Sequence, residues 1–306
     1  MDMKIRKSCL WAVMIMGMVV LAGCQKQADT KPAEAPEKKD VTIYLVRHGK
    51  TFFNTTGQVQ GWADSPLTEE GESQADAAGR GMKDIVFTTA FSSDLGRQRA
   101  TAKRILAQNE GDIPELQEVI GLREEFYGGF EGKPDEELWR PIYEANGASY
   151  DEKGSTYLEL SKKEKVDTIA AIDPLHMAET YDDISKRSIE VMDTIVKATQ
   201  EAGGGNALAV SSGDEIATIL DLLVPEQYQG ERIANCSVTV LVYKDGAYEL
   251  EACGDVSYMQ AGEEKNKQAR HKYASIENSS LAGKDRDSRP GCFRFLYLYL
   301  AHERII

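Results

Sequence analysis

The stretch Val41 to Val46 is apolar at most positions and shows no clean alternation, and Arg47-His48-Gly49 follows at once. Such a run predicts a central strand covered on both faces. Residues 68–83 open with Thr68 and carry Glu70 and Glu72 in the first turn, which predicts a capped helix continuing through Gln74, Ala75 and Ala78. Ile85 to Phe91 predicts a second strand, and Ser92 to Asn109 a helix with Leu95, Ala102, Ile105 and Leu106 on one stripe. A long helix is expected over 180–202, carrying Ile184, Ile189, Met192, Ile195 and Val196. Ala207 to Val210 then reads as a strand and Glu215 to Leu223 as a helix. Ser237 to Tyr243 and Ala247 to Cys253 form a predicted hairpin turned at Asp245-Gly246. This order predicts one three-layer α/β/α sandwich with a largely parallel central sheet, over residues 41–268. A long excursion at 121–178, rich in Glu, Gly, Tyr and Trp, is expected to pack over the carboxyl ends of the strands and shape a pocket.

The ends of the chain have a different character. Lys4, Arg6 and Lys7 precede an apolar run from Cys9 to Ala22, the layout of a secretory signal over residues 1–23. The run is short for a membrane span, which needs about 20 apolar residues. Leu21-Ala22-Gly23-Cys24 resembles a bacterial lipoprotein box. That resemblance implies cleavage before Cys24, a diacylglyceryl group on its sulfur, and an extracytoplasmic domain anchored to a bacterial membrane. An uncleaved anchor or an ordinary secretory signal would also place the domain outside the cytoplasm. Residues 24–40 hold two prolines and no large apolar residue, so they read as a lipid-anchored flexible tether. Residues 269–306 form a tail, polar over 270–292 and strongly β-prone over 293–300. That last run is either a late edge strand or a segment foreign to the domain.

The 306 residues suffice for one large core. A composition 42% hydrophobic and 28% charged is that of a globular protein. The net charge of −14 argues against nucleic-acid partners, which demand a basic field. It does not bear on a phosphate ester, since a small pocket can be locally basic. Cys236 and Cys253 invite a disulfide in an oxidising compartment. A turn pairing Lys244 with Ala247, continued along the hairpin, sets Cys236 opposite Asp255 instead, so two reduced cysteines are equally compatible.

Val41 to Val46 delivers Arg47, His48 and Gly49 to the carboxyl edge of the predicted sheet, where open α/β sheets bind ligands. A histidine there can attack phosphorus while arginines hold the equatorial oxygens. Arg97, in the first turn of the next helix, can point to the same edge, and Arg99 faces elsewhere. In Leu122 to Gly132, any of Glu124, Glu125 or Glu131 is a candidate for a carboxyl held protonated beside a phosphate.

Together, RHGKT at 47–51, Asn54, QG at 60–61, DSPLTEEG at 64–71, SSDLGRQRATA at 92–102, LREEFYGGFEG at 122–132 and GNALAVSSG at 205–213 resemble the histidine phosphatase superfamily, the phosphoglycerate mutase-like group. The resemblance spans residues 41 to about 256. It implies a phosphomonoesterase with His48 as the phosphorylated nucleophile, and with Arg47 and Arg97 on the phosphoryl oxygens. It further implies Asn54 near the phosphate, Thr51 and Gly61 shaping the edge, and Glu124 as the acid that protonates the leaving oxygen. The expected partner is a small phosphorylated substrate or inorganic phosphate, and no metal or cofactor is implied.

The chain departs from that pattern at one central place. The family's second histidine follows the later strand in a Ser-His-Gly string, and here the string is Ser211-Ser212-Gly213. A serine donates a neutral hydrogen bond, weaker than a charge-assisted one, so turnover is expected to be slowed or lost. His176, His271 and His302 follow no strand at the required place, although His176 can fold back from the excursion. Lys50 replaces a usual Glu or Gln, and either attracts anions or faces solvent. Gln98 and Arg99 stand where the family usually has alanine and a variable residue.

Overall fold

A computed structural model describes residues 39–151 and 158–282. The signal segment, Cys24, most of the 24–40 tether and the β-prone run at 293–300 lie outside the described residues. In chain order the elements are β1 (Val41–Arg47), α1 (Phe52–Thr56), α2 (Glu69–Gly81), β2 (Phe87–Ser92), α3 (Gly96–Leu106), β3 (Leu116–Glu118), α4 (Asp135–Ala145), α5 (Lys162–Ile172), α6 (Tyr181–Glu201), β4 (Gly205–Ser211), α7 (Gly213–Leu223), β5 (Val238–Lys244), β6 (Ala247–Asp255) and α8 (Ser257–Ala282). The helix starts follow from local chemistry. Thr68 caps α2 by accepting the Gly71 N–H, and Thr180 closes a capping box with Asp183 at the start of α6.

The sheet has the order β3-β2-β4-β1-β5-β6. The first four strands in that order are mutually parallel, and β5 runs antiparallel to both of its neighbours. Val41, Ile43 and Leu45 of β1 pack with Met192, Ile195, Ile216 and Ile219 of α6 and α7 on one face. Val46 meets Ala75, Ala78, Ala102 and Ile105 of α2 and α3 on the other. The unalternated run is therefore buried on both faces, and the chain forms the three-layer α/β/α sandwich expected of it. The ends of β1 and β4 are level, with Arg47 opposite Ser211. The next residue on each strand is His48 and Ser212, so the two emerge side by side, at the roughly 4.8 Å spacing of adjacent strands.

The hairpin turns at Asp245 and Gly246, both at positive φ (51° and 88°) as a tight two-residue connection requires. Its register departs from the sequence expectation. Lys244 pairs with Ala247, but two irregularities between Val238 and Leu241 put Val238 opposite Asp255. Cys236 therefore never enters the ladder. It precedes β5 at φ 54°, donates its N–H to the Arg47 carbonyl at 3.0 Å, and both it and Cys253 are free thiols.

The excursion contains α4 and α5, and a satellite core of Val59, Tyr127, Phe130, Leu138, Ile142 and Ile169 binds it to the loop after α1. Helix α8 lies against α2, with Arg80 Nε donating to the Gly262 carbonyl and Lys265 Nζ to that of Arg80. The expected boundary at residue 268 thus falls inside a helix. Among the described residues no helix is long and apolar enough to cross a membrane.

Candidate active site

Residues 47–49 are fixed from both sides. The His48 N–H donates to the Ser211 carbonyl at 2.9 Å, the His48 carbonyl accepts from Asn235 Nδ2, and the Gly49 N–H donates to Thr101 Oγ1 at 3.0 Å. A Cβ on Gly49 would run into the backbone of Gly71, so glycine there lets the strand end approach α2. The His48 side chain is buried, and its Nδ1 lies 2.8 Å from the Gly49 carbonyl. A carbonyl only accepts, so Nδ1 carries the hydrogen and Nε2 presents its lone pair. Burial, then the Arg97 and Arg47 cations, hold the imidazole well below its usual pKa, which keeps it neutral at pH 7.

Arg97 is fully buried at the start of α3. Its Nη1 donates to the Ala63 carbonyl and Asp64 Oδ1, and its Nη2 to the carbonyls of Gln60 and Gly61. Four of its five N–H donors thus hold the 60–64 loop, and only the buried Nε–H lacks a partner among the described residues. Arg47 donates Nη1 to the Ile233 carbonyl at 2.7 Å and likewise leaves a buried Nε–H unpaired. Buried orphan donors are rare, and two of them on arginines flanking one histidine fit an anion.

The three candidate carboxylates separate by their bonds. Glu131 accepts the N–H groups of Gly61, Trp62, Ala63 and Tyr127, so it is a cradle for that loop. Glu125 is buried and paired with Lys162 at 2.5 Å. Glu124 Oε1 accepts the N–H of Glu125 and of Glu215, and its Oε2 accepts that of Asp214 alone. Oε2 therefore keeps one lone pair free. Burial, then Asp214 and Glu125, push the Glu124 carboxyl up to about 7. Its backbone carbonyl is pinned by Arg187 Nη2 and Trp62 Nε1. A cleft of about 250 Å³ beside it is lined by Arg47, Glu124, Gly213, Asp214, Tyr228 and Glu231, among others.

Ser212 is fully buried at the N-cap of α7 but gives that helix no side-chain cap. Its Oγ instead accepts from Gln98 Nε2 at 2.6 Å. Asn54 sits on the exposed side of α1, where its Oδ1 takes the Thr51 N–H and a bond from Asn235 Nδ2. Lys50 pairs with Glu70 on the surface, Arg99 with Glu118, and His176 lies exposed on the loop around Asp173.

Several residues at this edge escape a reading of the sequence. Tyr228, Glu231 and Asn235 lie in the connection from α7 to β5, whose position after two strand ends is the available signal. Lys162, from α5, bridges Glu125 and Asp214, and Lys165 also reaches Asp214. Crowding by protein raises Asp214, but these two ammonium groups outweigh it and hold the group well below the usual range.

A three-layer α/β sheet that brings a neutral histidine, two orphan arginine N–H groups and a carboxyl raised to about 7 to one strand edge defines a phosphoryl-handling protein. The chain belongs to the histidine phosphatase superfamily (branch 1), which it matches over residues 43–256. The general chemistry of that family is phosphomonoester hydrolysis. The fold is similar to the crystal structure of a phosphoglycerate mutase from Bacillus anthracis, at TM-score 0.69 and 39% identity, covering 74% of this chain and 98% of that one. The sequence is 33% identical to the fructose-2,6-bisphosphatase TIGAR of Xenopus laevis, over 67% of this chain and 71% of that protein. It is 29% identical to a probable phosphoglycerate mutase GpmB of Escherichia fergusonii, over 72% of this chain and 95% of that protein.

Proposed function

We propose that this chain hydrolyses a small phosphorylated metabolite through a phosphohistidine at His48, with reduced efficiency. The observation that carries the reading is the His48 imidazole: neutral, with Nδ1 committed to the Gly49 carbonyl, between two arginines that each keep a buried Nε–H free. Nε2 attacks phosphorus as the bond from phosphorus to the ester oxygen breaks. The Arg47 and Arg97 donors take up charge on the phosphoryl oxygens. Glu124, with its carboxyl at about 7 and Oε2 open, gives its proton to the departing oxygen. It then takes a proton from the water that attacks the phosphohistidine, and inorganic phosphate leaves. Asn54 borders the phosphate from the rim.

The bond between Ser212 and Gln98 favours a second reading, a phosphate-binding or surface-interaction lipoprotein of the same fold with impaired turnover. Release of phosphate from p-nitrophenyl phosphate by the full chain, beside His48→Ala, separates the two. We expect slow turnover in the native protein, an acid-labile phosphoenzyme, and no turnover in the variant. Equal rates would overturn hydrolysis. The domain is held outside the cytoplasm by a diacylglyceryl group on Cys24, so the native chain is expected to incorporate labelled fatty acid and Cys24→Ala to incorporate none. Equal labelling of the two, or no labelling of the native chain, would refute the anchor.

A further inference from the structure

We propose that Ser212 and Gln98 act as one neutral donor unit of the phosphoryl site, in which Ser212 binds a phosphoryl oxygen and Gln98 is the positioning residue. The proposal rests on the phosphoryl site at His48. It starts from a serine that ignores its own helix. A serine at an N-cap ordinarily accepts an N–H from the first turn. In α7 the Asp214 and Glu215 N–H groups go to Glu124 instead, so the Ser212 hydroxyl has no capping bond. Oγ accepts from Gln98 Nε2 at 2.6 Å, which leaves the hydroxyl hydrogen with no acceptor among the described residues.

Gln98 is fully buried too, and its Oε1 is an acceptor without a partner among the described residues. Turning the carboxamide over would let Oε1 accept the Ser212 O–H and leave two N–H donors unmatched. In either orientation the pair ends with a buried donor hydrogen uncommitted. A buried polar group without a partner is costly unless something binds it.

Ser212 lies beside His48 at the adjacent strand ends, and Gln98 joins it through the bond to Ser212. Ser212 follows Ser211, whose carbonyl holds the His48 N–H and which pairs with Arg47 across β1 and β4. Gln98 follows Arg97, one of the two cations acting on the imidazole. The unit is neutral, a hydroxyl and a carboxamide, so its own charge does not change with pH. The Gln98 side chain also fills the space beside position 212, so a larger group there requires residue 98 to shrink.

The test uses the full chain and two probes, inorganic phosphate by calorimetry and p-nitrophenyl phosphate by turnover. Loss of a neutral donor weakens phosphate binding by roughly tenfold and turnover by on the order of a hundredfold. We expect these losses in Ser212→Ala, in Gln98→Ala, and in Gln98→Leu, which keeps the volume and removes the amide. The double variant S212A/Q98A should lose no more than either single one. Ser212→His alone should gain nothing, whereas S212H/Q98A should exceed it at least tenfold and add the ionisation of the introduced imidazole to the basic limb that Glu124 already gives the pH profile. Native-like phosphate affinity in both Ser212→Ala and Gln98→Leu would overturn the unit, as would a gain in Ser212→His equal to that of the double variant. If His48→Ala turns over like the native protein while these affinity losses hold, hydrolysis falls and the donor unit stands.

Discussion

Glu124 is raised from 4.5 to about 7, and that displacement has a consequence for stability that Glu124→Gln isolates. A carboxyl raised in the fold binds its proton more tightly there than in the unfolded chain. The stability it confers is complete below pH 4.5 and is lost as pH rises through 7. At about 1.4 kcal/mol per pH unit, holding Glu124 ionised costs on the order of 3 kcal/mol above pH 7. Glutamine has no such titration. It does turn one N–H face toward the Asp214 or Glu215 N–H, forfeiting one or two hydrogen bonds at about 1 kcal/mol each, at every pH. The variant should therefore be less stable than the native protein at pH 4.5 and more stable at pH 8, the difference climbing by about 3 kcal/mol between them. Urea unfolding at half-unit steps, with constant m-values, reads this directly. A difference that stays flat with pH would refute the raised carboxyl, whatever its offset. Turnover in the same variant should fall roughly 10²- to 10⁴-fold, the usual worth of a general acid.

Lys162→Met removes the cation that opposes the rise of Glu124. The basic limb of the pH–rate profile should move to higher pH, and unfolding should cost roughly 3–5 kcal/mol less, because buried Glu125 loses its partner. Arg97→Lys cannot reproduce four bonds to the 60–64 loop. We expect kcat/KM to fall by on the order of a hundredfold and proteolytic nicking of that loop to accelerate, and unchanged nicking would refute the stapling role.

The sandwich is readable in the sequence because its strands and helices carry the right periods. Val41 to Val46 is unalternated because both of its faces are covered, and Thr68 and Thr180 mark the starts of α2 and α6. What escapes the sequence is local or long-range. The irregularities between Val238 and Leu241 shift the hairpin by two residues without any residue type that announces them. Helix α4 carries Pro141 in its interior, which argues against a helix on sequence alone. At the site, His48, Arg47, Arg97 and Glu124 are legible as motif residues, but their division of labour is not. Nothing in the spacing of Glu124, Glu125 and Glu131 says that one cradles a loop, one pairs with Lys162, and one keeps an oxygen open. Lys162 and Asn235 come from segments far along the chain, so only the folded topology brings them in.

The start of α7 ties these features together. A helix start offers unpaired N–H groups that one acceptor or another must take. Glu124 takes those of Asp214 and Glu215, and in doing so it leaves the cap serine's hydroxyl for Gln98. The proposed acid and the proposed neutral donor are therefore coupled through one turn of backbone. Truncating Glu124 would expose two N–H groups to the nearest competitor, Ser212, which is already at the cap position. The hydroxyl would then turn toward its own helix and away from the phosphoryl site. A loss of activity on truncating Glu124 thus sums two effects, a missing proton donor and a diverted serine. Glu124→Gln retains an acceptor oxygen for part of that turn and separates them, which makes it a cleaner probe of the acid than Glu124→Ala.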